Sequence, residues 1–362
     1  MAFAQYLGRT FVGPVFDSLV IGGGITLPAA AWLWLDGRGA AQLLGLSLPV
    51  LVLLVNQAHF AASTVRLYSK PGSTAAHPFL AFALPLVTLA VLSLCIVYTS
   101  GLGRHLWALA MTWSPYHYSA QAFGLASMYC YRSGVALAAA ERSLLRWACL
   151  MPFFRSLLGG AASGLGLGWV LPLEWLARPE VAHALVIGVS LLDVLVFAMP
   201  AAFALLVWRR RRQASGGTGG APGGEEASPA GAPLLALFPV LANGIWFVVF
   251  DYWNAFVWAT FFHGLQYLAI VSVFHVREHR TRAPAAGGAL RQVALLYAGC
   301  VALGYALFQC WPLAYQLAGF GMVESVFLVV AMVNVHHFVV DAYIWRLRRD
   351  PNYGTVMAAS PA

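Results

Sequence analysis

The chain has 362 residues, of which 60% are hydrophobic and only 9% charged, with a formal net charge of +8. An ordinary soluble domain carries about 25% charged residues, so this composition excludes a water-soluble enzyme, a nucleic-acid reader and a disordered regulator. Lipid is the expected solvent for most of the surface.

A helix needs about 20 apolar residues to cross a bilayer. In chain order, the apolar runs predict spans at roughly 11–35, 42–67, 79–101, 104–131, 143–172, 182–208, 234–250, 252–276, 290–311 and 320–346. The expected fold class is therefore all-α: a polytopic integral-membrane bundle of about ten transmembrane helices. Only a few residues around Asp251 separate the seventh span from the eighth. Gly160, Gly164 and Gly168 recur every four residues, which predicts a close-packing face on the fifth span. No cleavable signal peptide is expected, because no short apolar stretch near the start leads into a small-residue cleavage site.

Residues 213–233 are rich in Gly, Ala, Ser and Pro and cannot bury enough apolar surface to order themselves. They divide a six-span region, 1–212, from a four-span region, 234–349, which is followed by a tail at 350–362. The basic residues fall in short clusters between the apolar runs, so the positive charge does not point to nucleic acid. Seventeen Lys and Arg residues lie on one alternating set of connections and three on the other. By the positive-inside rule this predicts both termini in the cytoplasm of a bacterial-type plasma membrane. The five cysteines have no CxxC spacing and are expected to be buried thiols.

The informative residues are the polar ones inside the spans, because each costs several kcal/mol there and faces a partner, cavity or cofactor. His59, His117, His263, His275, His279, His336 and His337 all lie on helices expected to run from outside to inside. At 1.5 Å per residue, His59 falls about 10 Å from the cytoplasmic end, His336 and His337 about 14 Å, and His117 and His263 about 21 Å. A common polar zone follows. His275 and His279 share a helix face, as do His337 and Asp341, whereas His336 points about 100° away from His337. Imidazoles with an occasional carboxylate suit iron, copper or zinc. Asn56, Gln121, Arg155, Gln266, Tyr267 and Asn334 are the expected supporting or substrate-contacting residues. Arg155 is positioned to hold an acidic head group or to balance Asp17 or Asp341. His77, His105 and His183 sit near span ends and are read as interfacial.

Three functions follow from this pattern. The first is an integral-membrane oxidoreductase holding non-haem iron, one ion or a di-iron pair, with these seven intramembrane histidines and Asp341 as ligands. Its substrate would be a membrane lipid or another hydrophobic molecule, desaturated, hydroxylated or cleaved with oxygen. Reducing equivalents would come from a separate electron-donor protein or a co-substrate, since no GxGxxG follows a strand. The H-x-x-H-H boxes of membrane fatty-acid desaturases are absent, the nearest string being Asn334-Val335-His336-His337. The second is a transmembrane haem or haem–copper protein, with Arg155 on a propionate. The third is a transporter whose histidines and aspartates, Asp17 and Asp193 among them, line a polar path.

Overall fold

The computed structural model describes residues 4–35, 50–216, 231–282 and 288–345, and every regular element among them is helical. Leaving single turns unlabelled, the helices are α1 (Pro14–Ile21), α2 (Thr26–Leu35), α3 (Ala58–Ser69), α4 (Phe79–Val97), α5 (Arg104–Arg132) and α6 (Ala139–Gly159). They continue with α7 (Pro179–Gly216), α8 (Leu234–Val249), α9 (Tyr252–Arg282), α10 (Ala289–Leu317) and α11 (Met322–Ile344).

By length and composition, α4, α7, α9, α10 and α11 are each able to cross a membrane. The α1–α2 pair, bent by 50°, brings the number to six if it counts as one span. The bend falls at Gly22–Gly24, where Gly23 takes φ +75°, a conformation that costs a residue with a Cβ. Ahead of it, the Asp17 carboxylate accepts the backbone N–H groups of Phe11, Val12 and Gly13 and the Tyr129 hydroxyl, which ties the start of α1 to α5.

The least and most buried of these helices differ in hydropathy. The most apolar window of α7 has mean hydropathy 2.3 and is 6% buried, whereas that of α9 has 1.4 and is 61% buried. A bundle in lipid puts its purely apolar helices outside, so the polar residues of α9 point into the protein.

Several sequence expectations change here. The fifth run is not one helix: α6 ends at Gly159, and Gly164 and Gly166 adopt φ of +71° and +58°. The glycines therefore terminate and redirect the chain, as left-handed glycines do after a helix, and do not form a packing face. The division of the seventh run from the eighth stands as expected: α8 stops at Val249 and Asp251 caps the N–H groups of Trp253 and Asn254 at the start of α9. Four cysteines are buried thiols, but Cys310 is exposed on an apolar helix. The first part of the second run, most of the 213–233 linker and the 350–362 tail lie outside the described residues.

Candidate metal centre

Four helices each contribute one histidine to a single buried cluster: His59 from α3, His117 from α5, His263 from α9 and His337 from α11. A wide i→i+5 turn over Val52–Gln57 leads into α3, and such turns rotate the residues that follow them. Pro115 lies two residues before His117 within a helix that stays continuous.

The four rings form a closed cycle. Centroids are 5.3 Å apart for His59–His263, 4.9 Å for His263–His117, 4.8 Å for His117–His337 and 5.1 Å for His337–His59. The donor atoms fall in two overlapping triads that share His337. The donor atoms of His59, His263 and His337 lie within 4.8 Å of one another, as do those of His117, His337 and Asp341. Both ring nitrogens of His59 and the Nε2 of His263 are buried with no hydrogen-bond partner. A buried, unpaired polar atom costs about 1–3 kcal/mol, and these three are donors that a bound ion could satisfy.

The surroundings fix the chemistry of each donor. The Ser63 hydroxyl donates to the Phe60 carbonyl at 3.3 Å, which leaves its oxygen to accept from His337 Nδ1 at 3.0 Å. In the tautomer that carries the His337 proton on Nδ1, the lone pair of Nε2 is turned to the cluster. Asp341 Oδ2 lies 3.4 Å from His337 Nε2 and 3.8 Å from His117 Nε2. Its Oδ1 accepts the Tyr267 hydroxyl at 2.6 Å, and the Tyr267 oxygen accepts Trp345 Nε1–H at 3.1 Å. Gln121 donates to the His263 carbonyl at 3.1 Å. At Gly264 an added Cβ would stand 2.9 Å from His59 Nδ1, so this glycine leaves the room that the His59 ring occupies.

Other expected residues lie elsewhere. His336 bonds Thr88 Oγ1 at 2.9 Å on the α4 side of its helix, as its 100° offset requires. His275 and His279 have ring centroids 4.1 Å apart, tilted by 40°, beside the Arg66–Glu278 ion pair, with His279 Nδ1 3.1 Å from the carbonyl of His275. His275 is twelve residues from His263, about 18 Å along the helix, which is too far to share its ion. Arg155 pairs with Asp193 at 3.1 Å and balances neither Asp17 nor Asp341. Asn334 bonds back to the Val330 carbonyl of its own helix. Asn56 Oδ1 and Gln266 Nε2 are buried without partners. Sequence reasoning did not single out Ser63, Gly264 or Trp345, since a small or aromatic residue on an apolar helix carries no signal without its neighbour.

The cluster opens on one side. A groove of about 1210 Å3 runs between α5 and α11, and His117, Gln121, Tyr267 and Asp341 reach into it among mostly apolar neighbours. Protein-family models, curated proteins and solved structures give no match to this chain.

Proposed function

We propose that this chain is a multi-pass integral-membrane oxidoreductase that holds one non-haem iron in the ring of His59, His117, His263 and His337. It acts on a lipid-soluble substrate in the adjoining groove by oxygen-dependent desaturation, hydroxylation or cleavage. The observation that carries this reading is the closed cycle of four imidazoles from four helices, with unpartnered nitrogens on two of them. The asymmetry of basic residues supports ten crossings with both termini in the cytoplasm of a bacterial-type plasma membrane.

The donor set favours iron in a particular way. His117, His337 and Asp341 make a two-histidine, one-carboxylate group, the donor combination of iron(II) oxygenases, and two of its members face the groove. Bound iron would supply oxygen activation, and the protein a dry, shaped site. A single ion is favoured over a di-iron pair because His337 Nδ1 is engaged by Ser63, leaving one nitrogen for two overlapping donor sets. Asp341, oriented by Tyr267, stands at the groove side of the cluster, where it can accept a proton or occupy a coordination position. The haem alternative needs two imidazoles on opposite faces of a macrocycle, and rings about 5 Å apart in a closed cycle fill that plane. The transporter alternative needs a polar path, whereas this cluster adjoins a mainly apolar groove.

Metal analysis and an absorption spectrum of the purified protein test the proposal. One iron per chain without a Soret band is the expected result. A Soret band, or no bound metal after purification without chelators, overturns it.

A further inference from the structure

The groove beside the histidines has a direction. Its lining on α5 runs from Leu109 to Met128, nineteen residues or about 28 Å at 1.5 Å per residue. That is close to the thickness of a bilayer's hydrocarbon core, about 30 Å. His117 falls between the ends, about 12 Å from Leu109 and about 17 Å from Met128.

Its polarity is graded along the same axis. Leu109 and Trp113 form one end, and His117, Gln121 and Asp341 form the middle. Near the other end, Ser127 lines the groove with its hydroxyl buried and unpartnered. Gln121 Oε1, in the middle, is also buried without a donor. Ser127 is five residues, about 8 Å, from the end of α5 at Arg132, which is itself buried and donates to the Thr10 carbonyl. Gly124 sits between Gln121 and Ser127 on the groove lining, and a Cβ built there meets nothing within 4 Å.

We infer that the groove takes one single-chain lipid laid along α5, with a small polar end group at Ser127 and an interior carbon presented to His117 and Asp341. This rests on the metal-centre reading above and adds the class of substrate and the position of attack. Ser127 is ten residues from His117, so the reacting carbon lies about 15 Å from the polar end. The rest of the chain extends past Trp113.

Photo-labelling tests the geometry. The purified full-length protein is irradiated with a long-chain primary alcohol carrying a diazirine at mid-chain, and separately with one carrying it at the methyl end. The mid-chain probe is expected to label the Tyr116–Gln121 stretch, and the methyl-end probe Leu109–Trp113. Gly124→Trp, which fills open space, lowers both by about tenfold while bound metal stays at the wild-type level. Ala120→Phe is the second obstruction should the tryptophan variant fold poorly. Ser127→Ala weakens labelling by the alcohols and leaves labelling by the matching hydrocarbon unchanged. Methyl-end labelling beside His117, or wild-type labelling in both obstructed variants, overturns the inference. The metal-centre reading fails separately: a protein with this labelling pattern and no bound metal keeps the lipid site and loses the proposed reaction.

Discussion

His337 Nε2 lies 3.1 Å from His117 Nε2, although the two residues are 220 positions apart in the chain. Two neutral imidazoles meeting through these atoms must share a proton or a cation, because two lone pairs facing each other repel. With the His337 proton on Nδ1, facing Ser63 Oγ at 3.0 Å, a proton on His117 Nε2 or a cation fills the contact. A separation of 3.1 Å is that of a hydrogen bond and is also close to the spacing of about 3.3 Å between two nitrogens on one tetrahedral ion. Metal content distinguishes the two.

Removing a ring of this cluster should remove the ion. His337→Ala and His59→Ala are expected to purify with less than a tenth of the wild-type metal, since each strips one ligand of four. His336→Ala and His183→Ala should retain it. Inductively coupled plasma analysis of the four variants checks this, and metal loss in His336→Ala equal to that in His337→Ala would contradict the assignment.

Ser63→Ala tests the tautomer. Without the hydroxyl, His337 Nδ1 loses its acceptor and the ring is free to carry its proton on Nε2. Metal affinity should fall by about 10–100-fold, the usual effect of losing such an orienting partner. Competition with a graded series of chelators measures this, and unchanged affinity would show that the serine only packs.

Gly264→Ala separates shape from ligation. The added methyl would approach His59 Nδ1 to 2.9 Å, so the ring must turn away. Helix content should not fall, because alanine is the better helix former by about 1 kcal/mol, yet bound metal should drop severalfold. Circular dichroism together with metal analysis reads both effects. Gly124→Ala, which meets open space, is the matched control and should change neither.

Arg155 supplies a control away from the centre. Arg155→Met leaves the part-buried Asp193 carboxylate without its partner at 3.1 Å, at a cost of about 1–3 kcal/mol. The expected outcome is a lower melting temperature with undiminished metal content. Loss of metal in a folded variant would mean that Arg155 communicates with the cluster after all.

Acid should release the ion. Imidazole binds a metal only when neutral, so protons compete for each ligand, and an unperturbed histidine takes one up near pH 6.5. Binding is thus favoured at higher pH and lost as protons outcompete the ion. With several imidazoles the loss should involve more than one proton per ion, read as the slope of metal retention against pH in a chelating buffer. Retention that does not fall with pH until the protein unfolds would argue against imidazole ligands.

The sequence by itself determined much of what depends on one helix at a time. Apolar runs locate most helices, though not the break after Gly159 in the fifth, and the 3.6-residue repeat puts His337 and Asp341 on one face while turning His336 to another. Intolerance of lipid for polar groups sends His59, His117 and His263 inward. Which of these residues meet is a property of packing between helices, and no spacing along the chain encodes it. Only the tertiary structure joined His59, His117, His263 and His337, left His275 and His279 a helical distance away, and gave Arg155 to Asp193. It also assigned roles to Ser63 and Gly264, whose one hydroxyl and one missing methyl acquire meaning only beside His337 and His59.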